Sequence, residues 1–276
     1  MHSLEAFSNA DLQRVHLAVE GLGAYLLSAE RFQAEQQPAA GSPFVLGTRE
    51  NGGIWWRETG DLALAASFDH LLAFTNLLTG NVPRQAGYSV LRGCAEAAAI
   101  AWWLFDPTAS EKQRVQRGFE ERLYGIQVQH GLVEKKNRPK HKARYDDLVA
   151  DAKRHGLSEK PDSRAKDLTH FGHPRLPIQE LLSRVLPEKA AKSELPTGEV
   201  LWRSLSAFSH SELWTSLIGL REDDDDTKLR RLVVNLTVLL GLAQLTVNAY
   251  DRAFSRRMAL AGHPMWRQRR GALPRL

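Results

Sequence analysis

The feature that most constrains the fold is a segment that is apolar on nearly every side of a helix. Residues 85–105 contain the run GYSVLRGCAEAAAIAWWLF, and the Asp106-Pro107 pair that follows ends the helix. A helix that faces water on one side carries polar residues there, so a helix without such a side is surrounded by other helices. This segment therefore predicts the centre of a helical bundle.

Helical signals also dominate the rest of the chain. Apolar residues recur every three or four positions, and Ser, Thr, Asn or Asp precede several of these segments, as in capped amphipathic helices. The predicted helices cover about residues 9–36, 60–79, 85–105, 108–136, 140–155, 178–186, 197–219 and 227–260. No run has the two-residue period of a strand. The predicted fold class is all-α, a multi-helix bundle of about seven to eight helices.

We expect one helical domain over residues 1–262, with a mobile basic and polar insertion at about 134–177, and a basic C-terminal tail at 263–276. The most apolar stretch, residues 232–247, is shorter than the roughly 20 residues that cross a bilayer, so it is predicted to be a buried core helix. A single cysteine, Cys94, and an N-terminus without signal-peptide features fit a cytoplasmic protein that has no membrane partner.

Positive charge is concentrated in two zones. Residues 134–166 contain eleven Lys or Arg against six Asp or Glu, and residues 252–276 contain seven Arg and no acid. Such zones fit a polyanionic partner, of which RNA is the predicted one, or else a solvated loop and a tail. The candidate nucleic-acid-binding residues are Lys135, Lys136, Arg138, Lys140, Lys142, Arg144, Arg267, Arg269 and Arg270.

The predicted seventh helix carries a polar stripe. Its spacings of four, three and four residues place Glu199, Arg203, Ser206 and His210 on one face. A guanidinium can hold a phosphate bidentately, and an imidazole can transfer a proton near neutral pH. Arg203 and His210 are therefore the candidate catalytic residues, with Glu199 and Ser206 as supporting residues. The alternative is that the Glu199–Arg203 pair and His210 are structural.

The apolar central helix contains two charged residues, Arg92 and Glu96, four positions apart. Burying either charge alone would cost several kcal/mol, so the two must pair or line a wet cavity. They are a second supporting pair for the site, or an internal ion pair that fixes the helix register.

The run from Arg203 to His210, RSLSAFSH, has the Arg-x6-His form and helical setting of the HEPN superfamily motif, which it resembles. That resemblance implies an all-α fold, a homodimer in which two motifs meet, and a metal-independent endoribonuclease of a defence or toxin system. Arg203 would bind the scissile phosphate, and His210 would act on the 2′-hydroxyl or the leaving group. Ser204 departs from the pattern, since Asn, Asp or His commonly follows the arginine.

The segments LRGCAEAAAIAWWLFDP, RVQRGFEERL and GEVLWRSLSAFSHSELW also resemble a family of uncharacterised bacterial helical proteins. This resemblance implies that one region gathers the charged residues of those segments, among them Arg117 and the supporting residue Glu121.

No cofactor or metal is expected. The acidic run at 222–226 fits a helix cap, and His170 and His173 lack further ligands nearby in sequence. Two functions remain beside action on RNA: a non-enzymatic interaction module, and a binder or enzyme for a small phosphate-bearing ligand that uses Arg92, Arg203 and His210 around an internal cavity.

Overall fold

The computed structural model describes residues 37–79, 86–161, 169–172, 175–190, 194–209 and 225–263, together with helical positions at 17, 20–25 and 27–28. Side chains are described from residue 238 onward in the last of the long ranges. Of the predicted site residues, His210 and the tail arginines Arg267, Arg269 and Arg270 lie outside these ranges, as does His173.

The chain is an all-α, multi-helix bundle, as predicted. Its described α-helices are α1 (Pro43–Leu46), α2 (Gly53–Thr79), α3 (Ala86–Leu104), α4 (Glu111–His130), α5 (Arg138–Arg154), α6 (Ile178–Val185), α7 (Thr197–Ser209) and α8 (Asp225–Leu260). A 3₁₀ turn covers Lys135–Asn137, just before α5. An antiparallel pair, β1 (Lys160–Pro161) and β2 (Thr169–His170), is the described sheet.

The apolar helix α3 lies at the centre of the bundle, which confirms the prediction from its composition. It packs against α2, α8, α7 and α6. Its alanines Ala95, Ala98 and Ala99 are fully buried, and small side chains let neighbouring helices approach closely. Cys94 is also fully buried in this helix. Among the described helices, none is both long enough and apolar enough to cross a membrane.

Helices α2 and α4 touch backbone to backbone at Gly118. A Cβ atom added there would lie 2.4 Å from the backbone nitrogen of Trp56. The Trp56 ring is buried edge-on against Phe44 and Phe105, with ring centres 6.0 and 6.1 Å away. This close crossing fixes the wall that α2 and α4 share.

Arginine side chains stack on aromatic rings throughout the bundle. The Arg256 guanidinium lies 3.5 Å from the Trp102 ring centre and donates to the Trp102 carbonyl. Arg117 does the same with Trp103, at 5.5 Å from the ring and 2.7 Å from the carbonyl oxygen. Each such contact ties two elements together and is worth about 0.5–2 kcal/mol, depending on burial. Arginines with an aromatic partner are Arg57, Arg92, Arg114, Arg117, Arg122, Arg175, Arg256 and Arg257.

Several predicted boundaries were wrong. Helix α2 begins at Gly53 rather than near residue 60, because Asn51 Oδ1 accepts from the Gly53 amide (2.9 Å) and caps the helix in spite of its glycine. Helix α4 ends at His130 rather than near 136, and α5 begins with Pro139 in its first turn, where proline is favoured.

The polar stretch at 156–177 contains a short strand pair that the sequence did not predict. Lys160 pairs with His170, and Pro161 with Thr169. Phe171, directly after β2, is 1% exposed and lies edge-on to Phe119 of α4. The described part of this stretch is therefore attached to the bundle core.

Candidate functional site

Arg203 lies on the surface of α7 and forms the predicted pair with Glu199. Its Nε and Nη2 donate to Glu199 Oε1 at 3.0 and 2.6 Å, and Gln179 of α6 donates to the same oxygen. The Arg203 side chain is 63% exposed, and Ser206 is half-buried on the same helix. An exposed pair of this kind contributes about 0.3–0.5 kcal/mol, so an incoming phosphate can compete for the guanidinium.

The predicted pair in α3 also forms and contacts α7. Arg92 Nε donates to Glu96 Oε1 at 2.8 Å, and both side chains are partly exposed. The Arg92 guanidinium stacks on Trp202, the neighbour of Arg203, at 4.6 Å. The structure thus brings Arg92 and Glu96 to the junction of α3 with α7, where Arg92 contacts Trp202.

The other two residues implied by the second resemblance have different partners. Arg117 donates to Asp106 and stacks on Trp103. Glu121 accepts from Arg175 Nε at 2.5 Å, and the Arg175 guanidinium covers Tyr124. Both members of the Glu121–Arg175 pair are largely buried, with 14% and 11% of their side chains exposed. Arg175 thereby ties the segment before α6 to α4.

Six cationic side chains are exposed over ten residues, and we call them the basic surface: Lys135, Lys136, Arg138, Lys140, Lys142 and Arg144. On α5, the i, i+4 spacing places Arg138 with Lys142 on one side of the helix and Lys140 with Arg144 on another. Two of the six pair with acids nearby in sequence, Lys136 with Glu134 and Lys142 with Asp146. The described residues offer no ion-pair partner to the other four. The basic surface therefore keeps charge that a polyanion can neutralise.

A cleft of about 960 Å³ opens beside Arg144, between α2, α4 and α5. One stripe from each helix lines it: Trp55, Thr59 and Leu62 from α2; Glu121, Arg122, Gly125, Ile126 and Gln129 from α4; Arg144, Asp147, Leu148, Asp151 and Arg154 from α5. Arg49, Glu50 and His155 complete the lining. Two predicted residues, Glu121 and Arg144, meet here.

A hydrogen-bonded network forms the deep wall of the cleft. The buried carboxylate of Asp151 accepts from Trp55 Nε1 at 2.6 Å and from Arg154 Nη2 at 2.6 Å. His155 Nε2 lies 3.8 Å from Asp151 Oδ1, and the His155 ring packs against Phe119. Because the imidazole lies between a fixed carboxylate and an apolar ring, it has a restricted orientation while facing the cleft.

The arginines around this network differ in how many contacts hold their side chains. Arg122 is held, since it stacks on Trp55, donates to Thr59 Oγ1 at 2.9 Å and pairs with Glu58. Burial lowers the pKa of the Arg122 guanidinium below its ordinary value, and the charge of Glu58 opposes that shift, so Arg122 stays charged at neutral pH. Arg49 and Arg144 are exposed and form no ion pair within the described residues.

Sequence reasoning missed the cleft. It did not single out Asp151 or His155, although their i, i+4 spacing was a signal for a paired carboxylate and imidazole. The small-ligand hypothesis placed Arg92 and Arg203 around an internal cavity, and neither residue lines the cleft that the structure describes.

Comparisons with protein-family models, with curated proteins and with solved structures found no match. Within the described ranges, no three His, Cys, Asp or Glu side chains group as metal ligands. The described groups can bind anions through guanidinium and ammonium groups, and can exchange protons through an imidazole.

Proposed function

We propose that this protein binds RNA through the basic surface. The observation that carries the proposal is the run of six exposed cations over ten residues, four of them without an acidic partner among the described side chains. Backbone phosphates supply most of the affinity of such surfaces, and condensed counterions are released as the phosphates are neutralised. The two i, i+4 pairs of α5, Arg138 with Lys142 and Lys140 with Arg144, can each contact phosphates of a bound strand.

The test is the salt dependence of binding to a single-stranded RNA oligomer, measured by fluorescence anisotropy. Six neutralised phosphates would give a slope of about −4 in log K against log [salt] for a single strand. The variant Lys135→Glu/Lys136→Glu/Lys140→Glu should bind at least tenfold more weakly, with a shallower slope. A matched variant, Lys112→Glu/Arg184→Glu/Lys189→Glu, makes the same change in net charge at exposed positions that are not part of the basic surface.

Equal losses in the two variants would mean that overall charge, and not the basic surface, determines binding. Absence of saturable RNA binding by the wild-type protein would refute the function itself. The circular dichroism spectra of both triple variants must match that of the wild type, because all six substituted positions are exposed and their substitution leaves the core unchanged.

The catalytic extension of this function is a metal-independent endoribonuclease that acts as a homodimer, as the HEPN resemblance implies. The exposure of Arg203 favours it, since a phosphate can reach the guanidinium. To test cleavage, labelled RNA is incubated in EDTA with the wild type or with Arg203→Ala/His210→Ala. To test the homodimer, the molar mass of the protein in solution is measured by light scattering. Equal RNA cleavage by the two proteins, or none by either, would contradict this extension.

The rival function is a non-enzymatic helical interaction module, in which Arg203 and His210 are structural. The observed Glu199–Arg203 pair favours it. It predicts that Arg203→Ala lowers the stability by more than the roughly 0.5 kcal/mol of an exposed ion pair, seen as a lower melting temperature, while RNA remains uncut by every variant. An unchanged melting temperature would count against this rival.

A further inference from the structure

The cleft has the features of a ligand site that the basic surface does not explain. Its volume of about 960 Å³ is at the upper end of the range for small-molecule pockets. Its floor is open at Gly125, where an added Cβ atom would meet nothing within 4 Å. Leu62, an apolar side chain, is 66% exposed at its edge. An open cavity with apolar and charged walls is suited to a ligand that has both an apolar and a charged part.

The charged groups of the cleft divide into those already occupied and those available. Arg122, Arg154, Glu121 and Asp151 are engaged in the ion pairs described above. Arg49 and Arg144 form no ion pair with a described residue, although the charge of Arg49 acts on the neighbouring Glu50. Glu50 and Asp147 are exposed carboxylates of the same lining, and Glu50 accepts a hydrogen bond from Thr48. The available groups thus offer two guanidiniums for an anion and two carboxylates for hydroxyl or amino donors.

We propose that this cleft binds the phosphate ester of a nucleotide. Arg49 and Arg144 hold the phosphate, because guanidinium donors match its oxygens in pairs. Glu50 and Asp147 accept from ribose hydroxyl or base amino groups, a role that acidic residues have in other nucleotide sites. The base packs over the apolar part of the lining, at Leu62 and Ile126.

His155 offers its imidazole to the ligand from the lining of the cleft. The Asp151 carboxylate lies 3.8 Å from the His155 ring nitrogen Nε2, and the Trp55 indole and Arg154 hold that carboxylate in turn. We assign Asp151 as a positioning residue.

The nucleotide is either free or one unit of a bound RNA, and only the second case rests on the proposed RNA binding. Calorimetric titration with adenosine 5′-monophosphate, with adenosine and with inorganic phosphate examines the first case. Binding of a short single-stranded RNA examines the second. We expect the monophosphate to bind more tightly than adenosine or phosphate alone, since it contacts both parts of the cleft.

Variants at Gly125 make the test specific to the cleft. Gly125→Phe places a ring in the cavity and should abolish binding of the monophosphate, whereas Gly125→Ala should preserve it. Arg49→Ala and Arg144→Ala should each weaken binding about tenfold, as expected for the loss of a charge-assisted hydrogen bond. Arg184→Ala, an exposed arginine of α6 that pairs with Glu180, is the matched control.

The outcomes separate the two proposals. If the monophosphate does not bind, and Gly125→Phe binds RNA as the wild type does, the cleft proposal is overturned while RNA binding through the basic surface remains. If the monophosphate binds and RNA does not, the cleft proposal holds and the RNA function fails. Monophosphate binding that Gly125→Phe leaves unchanged would place the ligand elsewhere and would also overturn the assignment.

Discussion

Two glycines of α4, seven residues apart, should respond in opposite directions to the same substitution. At an open helical position, alanine is favoured over glycine by about 1 kcal/mol, because glycine loses more backbone entropy on folding. Gly125 is such a position, since nothing lies within 4 Å of an added Cβ atom. Gly125→Ala should therefore stabilise the protein by about 0.5–1 kcal/mol.

At Gly118 the added Cβ atom would lie 2.4 Å from the Trp56 nitrogen and 2.6 Å from the Trp55 carbonyl carbon, whereas ordinary contacts begin at 3.4 Å. Both atoms are backbone, so no side chain can move aside, and α2 and α4 must separate by about 1 Å. That separation loosens the packing of Trp56 and Phe119, which are buried. Overpacking of this kind costs about 1–3 kcal/mol beyond the gain in helix propensity.

The free energies of unfolding are measured by urea denaturation followed by circular dichroism, under identical conditions for the three proteins. The two variants should differ by about 2–4 kcal/mol, which is several degrees in melting temperature for a domain of this size. If Gly118→Ala proves as stable as Gly125→Ala, then α2 and α4 do not cross as closely as described.

Three further predictions follow from single contacts. Burial raises the pKa of Cys94 to about 12, so its thiol should resist iodoacetamide at pH 8 in the native protein and react only after unfolding; reaction without unfolding would contradict its burial. Burial raises the pKa of Asp106, but the Thr108 hydrogen bonds and the Arg256 charge outweigh that effect, so the folded pKa lies below 3.8. The ionised carboxylate then stabilises the fold at pH values above about 3.8. The free energy of unfolding of Asp106→Asn should therefore be lower than that of the wild type at pH 7, and the difference should shrink as the pH falls below about 3.8. A difference independent of pH would refute this. Arg175→Ala leaves Glu121 largely buried without its partner and should lower the free energy of unfolding by about 3 kcal/mol, whereas Arg203→Ala should lower it by less than about 0.5 kcal/mol. Equal losses in a denaturant titration would be inconsistent with the different burial of the two pairs.

Sequence patterns predicted the helices because each helix signals itself locally. The apolar run at 86–104 predicted a central helix since no face was left for water, and α3 is central. Local signals failed where a contact decided the outcome. The second helix was predicted to begin near residue 60, yet the Asn51 side chain caps α2 at Gly53. The strands at 160–161 and 169–170 are too short to show any period.

The candidate site was predictable only within single helices. The Glu199–Arg203 and Arg92–Glu96 pairs follow from i, i+4 spacing, and both form. The cleft required knowledge of how three helices meet, because Trp55 and Asp151 are 96 positions apart in sequence and hydrogen-bonded in the fold. Nothing in the sequence near either residue indicates the other.

The stacking of arginines on aromatic rings changes how the basicity of this chain should be understood. A formal charge of +5 and an isoelectric point near 9.4 count every guanidinium alike. Many guanidiniums lie flat against aromatic rings and hold the bundle together, as Arg256 does between the ring and the carbonyl of Trp102. Lysine has no planar group that could take this place. Exchange between arginine and lysine during evolution should therefore be frequent on the basic surface and rare inside the bundle.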